Sequence, residues 1–199
     1  MLTLAFDTAT DVATVALVRD TETLGERVSK PGTLLSDLDA LLHEAGVERE
    51  QLSRIAVGTG PGSYTGLRMG LITARVLSLT LDIPVAGVST LAALAHGAPG
   101  ALPVLDARRR EVFSLADGVP VVCPPADLDL DTGTTLVGHG AVRYRELLES
   151  RDARIPPDED PRHVPWARHH AELASDFGPP DLAEPIYLRV PDAERALRA

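Results

Sequence analysis

Two aspartates and one glycine-rich turn are the residues of this chain best placed to do chemistry. Asp7 ends the apolar run Leu2–Phe6, and Asp106 ends the run Leu102–Leu105. A short polar turn and a second apolar run, Val12–Val18 or Glu111–Leu115, follow each one. LAFDTATDVATVALV and PVLDARRREVFSLAD thus read as two copies of one hairpin. Paired carboxylates facing one cleft could hold a magnesium–nucleotide. Each could equally cap its own turn by accepting backbone N–H groups just downstream. The turn Gly58-Thr59-Gly60-Pro61-Gly62-Ser63-Tyr64-Thr65-Gly66 joins a strand, Arg54–Gly58, to a helix over about Leu67–Leu81. Glycines at such a turn can admit a phosphate to the backbone, or simply let the helix start tight against its neighbours. The specific phosphate motifs fail. A P-loop needs Lys-Ser/Thr where Leu67-Arg68 stand, and a dinucleotide fingerprint needs glycine where Ser63 or Thr65 stands.

Other chemistries find no support in residue type or spacing. His43, His96, His139, His163, His169 and His170 form no His-Glu-x-x-His pattern, and neighbours such as His169 and His170 point apart on a helix. No metal site is expected. There is no Gly-x-Ser-x-Gly, and Ser63 has no base nearby in sequence. Cys123 is the only cysteine. It can form neither an internal disulfide nor a thiolate cluster, and in Val121-Val122-Cys123-Pro124-Pro125 it has no helix N-terminus to activate it.

The elements that must carry these residues alternate between strand and helix, which indicates an α/β fold. Thr33–Gly46 is predicted as a helix with Leu34, Leu35, Leu38, Leu41, Leu42 and Ala45 on one stripe. Val85–Val88 reads as a strand and Thr90–His96 as a helix. The turn-rich His96–Ala101 divides the chain into 1–98 and 99–199. Beyond it, Leu136-Val137 reads as a strand with a helix after it to about Glu149, Arg154–Pro165 as loop, Trp166–Asp176 as a helix and Pro185–Val190 as extended. The helix over Leu67–Leu81 is apolar nearly all round, with small residues at Gly66, Gly70, Ala74 and Ser78. It must be buried on more than one face, by its own domain or by a partner. The predicted inward face is Leu67, Leu71, Ala74 and Ser78.

The chain has 199 residues and a formal net charge of -10, a poor match for a phosphate backbone, so direct nucleic-acid binding is not expected. Lys30 is the single lysine, so arginine is simply this chain's usual cation. The N-terminus lacks a signal-peptide pattern. The longest apolar stretch carries Arg68 and Arg75 and is shorter than the ~20 residues a membrane span needs. A cytoplasmic location is expected.

Taken together, LAFDTAT, the leucine-striped helix, IAVGTGPGSYTGLRMGLITARVLS, IPVAGVSTLAALA, VLDARRREVF, LVGHGA and YLRVPDA closely resemble the bacterial TsaB (YeaZ) family. The likeness covers most of the chain and is most specific over Ile55–Leu94. It implies the actin/Hsp70/sugar-kinase-like (ASKHA) α/β fold, two related halves around a cleft. In that superfamily, Asp-x-Gly turns grip phosphate. Here Ala9 and the run Ala107-Arg108-Arg109-Arg110 stand where glycines belong, and arginine resists the positive φ that glycine allows. The turns at Asp7, Thr8, Thr10, Asp106 and Arg108 are therefore expected to be vestigial, with no catalytic residues. The paired-histidine metal motif of the related TsaD is absent from Lys30–Ser36.

The resemblance implies an accessory subunit that pairs with TsaD and cooperates with the ATPase TsaE. Together they transfer threonylcarbamoyl to the adenosine beside the anticodon of ANN-decoding tRNAs. The chain would meet tRNA only through the complex and form a homodimer when alone. No tightly bound cofactor is expected, and a nucleotide at the TsaD junction is left open. The implied pairing surface comprises Leu38, Leu42, Met69, Gly70, Thr73, Val76, Leu77 and Thr80. The alternative reading is a glycoprotease-type peptidase, and a sugar or acetate kinase is disfavoured by Arg108-Arg109.

Overall fold

The structure, a computed structural model, describes residues 1–189. The last residue of the tail read over Pro185–Val190 and the close of YLRVPDA lie outside them. Leu2–Asp7 (β1), Ala13–Arg19 (β2) and Glu22–Ser29 (β3) form an antiparallel meander, followed by helix Leu34–Glu44 (α1). Arg54–Gly58 (β4), helix Tyr64–Leu81 (α2) and Val85–Val88 (β5) add a parallel extension on the other side of β1. The five-stranded order is β3-β2-β1-β4-β5. β3 was not anticipated. It is an edge strand whose residues are all exposed or half-buried, and its ETLGERVS has no clean apolar alternation to mark it. At Gly25 an added Cβ would lie 2.7 Å from Leu41 of α1, so the helix rests directly on the strand.

Strand alternation decides what covers each face. Leu2, Leu4, Phe6, Val15, Leu17, Ile55 and Val57 point to one side and meet Leu34, Leu38 and Leu41 of α1 and Leu71 and Ala74 of α2. Ala5, Ala16, Val18 and Ala56 point to the other. Those small side chains admit helix Ala167–Leu173 (α6) closely, through Ala167 and Ala171. The chain's late segment therefore returns to cover the first sheet, and β5 also bridges Gly178. Helix Thr90–Gly97 (α3) packs against α6 and against the second half.

The second half repeats the first in reduced form. Leu102–Pro103 (β6) and Leu105–Asp106 (β7) lead into Val112–Ala116 (β8) and Val119–Cys123 (β9), and β7-β8-β9 is again an antiparallel meander. Leu136–Val137 (β10) runs parallel to β6 as β4 does to β1. It is followed by two short helices, His139–Arg143 (α4) and Arg145–Glu149 (α5), where one was expected. In both copies the aspartate is the last paired residue before the tip: Asp7 opposite Thr14, and Asp106 opposite Val112.

The glycines of the long turn are explained by close approach of the first tip. A Cβ on Gly58 would lie 2.3 Å from the Asp7 carboxylate, on Gly62 2.1 Å from the Ala9 carbonyl, and on Gly66 2.0 Å from the Thr8 carbonyl. Gly66→Ala therefore separates two effects. Helix propensity alone favours alanine by ~1 kcal/mol. Contact with Thr8 instead predicts a net loss of about 1–3 kcal/mol as α2 is pushed off the tip. Urea denaturation of the variant is expected to give the loss.

Candidate functional site

Asp7 is buried, and both its oxygens are engaged. Oδ1 accepts the Ala9 N–H at 2.6 Å. Oδ2 accepts the Thr90 hydroxyl at 2.6 Å and lies 2.8 Å from Nε2 of the fully buried His170. The other ring nitrogen of His170 is 3.2 Å from the Trp166 carbonyl. Burial pushes the Asp7 carboxyl up, but the hydrogen bond and charge of His170, then Thr90 and Ala9, outweigh it and hold the group below its ordinary value. The rest of the tip is turned onto the protein itself. The Thr8 hydroxyl donates to the Gly66 carbonyl (2.7 Å), Thr10 to the Val12 carbonyl (3.0 Å), and Ser63 N–H to the Ala9 carbonyl (2.7 Å). The Ser63 hydroxyl accepts the Gly66 N–H as the N-cap of α2. The glycine-rich turn thus receives the hairpin tip, through Ser63 and Gly66 among others, where a phosphate grip was one of the readings.

The second tip follows the same plan with different partners. Asp106 Oδ1 accepts the Arg108 N–H at 3.0 Å and the Tyr144 hydroxyl at 3.3 Å. Its buried Oδ2 has the guanidinium groups of Arg108 and Arg143 at 3.3 and 3.5 Å. The Asp106 N–H donates to Nε2 of His139 at 3.2 Å, and burial lowers the His139 pKa, which suits a neutral acceptor. One expectation needs correction. Arg108, Arg109 and Arg110 do adopt left-handed backbone, with φ of 61°, 53° and 63°. The tip keeps a conformation suited to glycine at a cost of roughly 1–2 kcal/mol per residue. What has changed is the presence of side chains. Arg108 crosses to the first tip and pairs with Asp11 at 2.7 Å. A cleft of about 250 Å³ remains beside it, lined among others by Ser63, Tyr64, Arg109, Phe113 and Tyr187.

The outer surface of α2 is the second candidate. Leu67, Leu71, Ala74 and Ser78 are buried, as their spacing predicted. Ile72, Val76 and Leu79, at i, i+4 and i+7, are 59%, 55% and 73% exposed. Of the residues assigned to the pairing surface, Val76 and Thr80 are exposed, and Met69 and Thr73 are half-buried. The others need correction. Leu38 is buried in the core, and Leu42 and Leu77 pack against it. Gly70 is buried, with Thr8 where its side chain would be. The stripe Gly66-Gly70-Ala74-Ser78 faces this chain's own tip and sheet. Ile72 and Leu79, which the helical period sets on one side with Met69 and Val76, belong to the exposed face in their place.

Residues 32–123 match the family model described as TsaD: tRNA N6-adenosine threonylcarbamoyltransferase. An uncharacterised protein of Mycobacterium tuberculosis is 36% identical over 206 residues, covering 96% of this chain and 93% of its own. The tRNA threonylcarbamoyladenosine biosynthesis protein TsaB of Bacillus subtilis is 34% identical over 123 residues, covering 57% of this chain and 54% of its own. YeaZ of Pseudomonas aeruginosa superposes with a TM-score of 0.79 at 29% identity, over 94% of this chain and 99% of that one. The chain belongs to the TsaB/YeaZ family. It has that family's ASKHA-like α/β fold, and it spans about half the length of the curated TsaB protein in that alignment. In this TsaB/YeaZ chain the two aspartate tips are the elements the fold duplicates. His170, Thr90, Asp11, Arg143 and Tyr144, which complete them, were not singled out in the sequence. Nothing local marks His170 as the partner of a residue 163 positions away.

The Asp7–His170 pair generates a stability prediction. Removing one partner of a buried pair typically costs about 3–5 kcal/mol, and His170→Ala is expected to lose that much in urea denaturation at neutral pH. Because the folded-state pKa of Asp7 is lowered, its contribution is complete above the unfolded value of about 3.9 and is lost as pH falls through the folded pKa. Asp7→Asn is expected to flatten the stability–pH curve below about pH 4 relative to the parent.

Proposed function

We propose that this protein acts in tRNA threonylcarbamoyladenosine biosynthesis as a non-catalytic subunit that docks TsaD through the outer face of α2. The observation carrying this reading is the exposed Ile72-Val76-Leu79 row on the long helix of a TsaB/YeaZ family member. Three large apolar side chains aligned over two turns favour a protein partner over solvent. The non-catalytic role draws support from the tips. Asp7 is engaged at both oxygens by the chain's own donors. Asp106 accepts at Oδ1 and has the Arg108 and Arg143 guanidinium groups beside Oδ2, and Arg108 ties the second tip to Asp11. The peptidase reading draws none from Ser63, whose hydroxyl caps α2. In the proposal, the same α2 face forms a homodimer when TsaD is absent, TsaE acts on the assembled pair, and tRNA is met through the complex in the cytoplasm. The net charge of -10 supports indirect contact with tRNA.

The test is a pull-down with the organism's TsaD, paired with a tRNA modification assay. Ile72→Asp and Val76→Asp place a carboxylate in the seam while leaving the core intact. Leu77→Asp is unsuitable because Leu77 packs on the core. Burial of one such side chain contributes ~1.5–3 kcal/mol, so each variant is expected to weaken TsaD binding by about tenfold or more. Modification should fall with binding, and circular dichroism should stay unchanged. Binding and modification that survive both substitutions would remove α2 as the docking face. Calorimetry of the isolated chain with magnesium-ATP is expected to show no low-micromolar binding, and finding it would contradict the non-catalytic reading.

A further inference from the structure

His169 and His170 are adjacent on α6 and serve opposite sides of it. His170 turns inward to Asp7. His169 turns toward the end of α3, where it meets His96, with ring centroids 5.3 Å apart and planes at 64°. Glu172, one turn after His169, completes the group. One of its carboxylate oxygens lies 2.9 Å from Nε2 of His96 and 2.9 Å from Nδ1 of His169. The three ligand-capable atoms all lie within 4.8 Å of one another.

We propose that His96, His169 and Glu172 form a binding site for a divalent transition-metal ion of the zinc type. The donor set argues for that class. Two imidazole nitrogens and one carboxylate oxygen make the three-ligand shell that zinc accepts with water in the fourth place, whereas calcium and magnesium prefer all-oxygen shells. Bonds of about 2.0–2.2 Å around a tetrahedral ion set ligand atoms roughly 3.3–3.5 Å apart. The present atoms already lie within 4.8 Å of one another, close to that spacing. The group is open to entry, since the side chains of His96 and Glu172 are each 43% exposed. It is also held in place. The ring of His169 lies against Gly97, where an added Cβ would be 2.8 Å from Nε2, so the absence of a side chain there gives the imidazole its seat. An ion bound at this point joins the end of α3 to α6. It therefore clamps the helix whose next residue holds Asp7.

The test uses untagged, chelator-treated full-length protein titrated with zinc sulfate by calorimetry and with cobalt(II) by visible absorption. One equivalent of zinc is expected, with affinity at least tenfold above that of His96→Ala, His169→Ala and Glu172→Gln. Cobalt is expected to give the intense visible bands of a four- or five-coordinate site in the parent alone. Zinc at a hundredfold excess over the parent's Kd should raise Tm by about 5–10 °C in the parent and by no more than about half as much in the three variants. His43→Ala serves as the control, since His43 lies elsewhere, on α1, and it should behave as the parent. If His169→Ala fails to fold, the partly exposed His96 and Glu172 carry the comparison. Absence of stoichiometric binding, or binding equally strong in the His96 and Glu172 variants, overturns the assignment.

Discussion

A buried carboxylate organises this molecule. Asp7 sits where β1 ends, β4 passes beside it at Gly58, α3 begins and α6 crosses. Ala9, Thr90 and His170 each supply it with a hydrogen-bond partner. An ionised group with no water around it is tolerated only when its oxygens are satisfied. The elements carrying those partners are therefore held in register by one requirement. The glycines of the long turn serve the same junction from another side. Gly58, Gly62 and Gly66 remove the side chains that would keep β4 and α2 away from the tip. A residue type that suggested ligand binding thus serves mainly to bring two backbones together.

The second tip shows what duplication preserves and what it releases. It runs through three successive left-handed residues, none of them glycine. The aspartate still accepts the N–H two residues on. The loop carries guanidinium groups, and Arg108 lies between Asp106 and Asp11. Positive charge that a bound cation could bring to such a pair of carboxylates comes here from a side chain.

The two faces of the first sheet are covered unequally, and this has consequences for the surface. Alanines on one face let α6 sit close and complete the layer from within the chain. Large aliphatic residues on the other hold α1 and α2 against the sheet, and α2 carries more apolar side chains than one face can bury. The surplus lies outward as the Ile72-Val76-Leu79 row. One side is thus closed by the chain itself, while the other keeps an open apolar row.

Much of this was legible in the sequence, because local periodicity and turn chemistry follow from the residues themselves. The repeated aspartate hairpin, the parallel strands Arg54–Gly58 and Val85–Val88, and the inward face of α2 all follow from spacing of two or of three and four. So does the family resemblance, which rests on contiguous motifs. Tertiary structure decided what depends on residues far apart in the chain. β3 is stabilised by its neighbour β2 and by α1, not by its own pattern. Leu35 shares the leucine stripe of α1 in the sequence yet ends 64% exposed, whereas Leu38 on the same stripe is buried. His170 became the partner of Asp7, and His169 the neighbour of His96, only once α6 folded back across the first sheet. Arg108 to Arg110 hold a left-handed conformation they disfavour in the tip between the paired strands β7 and β8, which no local preference foretold. A sequence states what each segment prefers; which preference yields is set by the contacts that close around it.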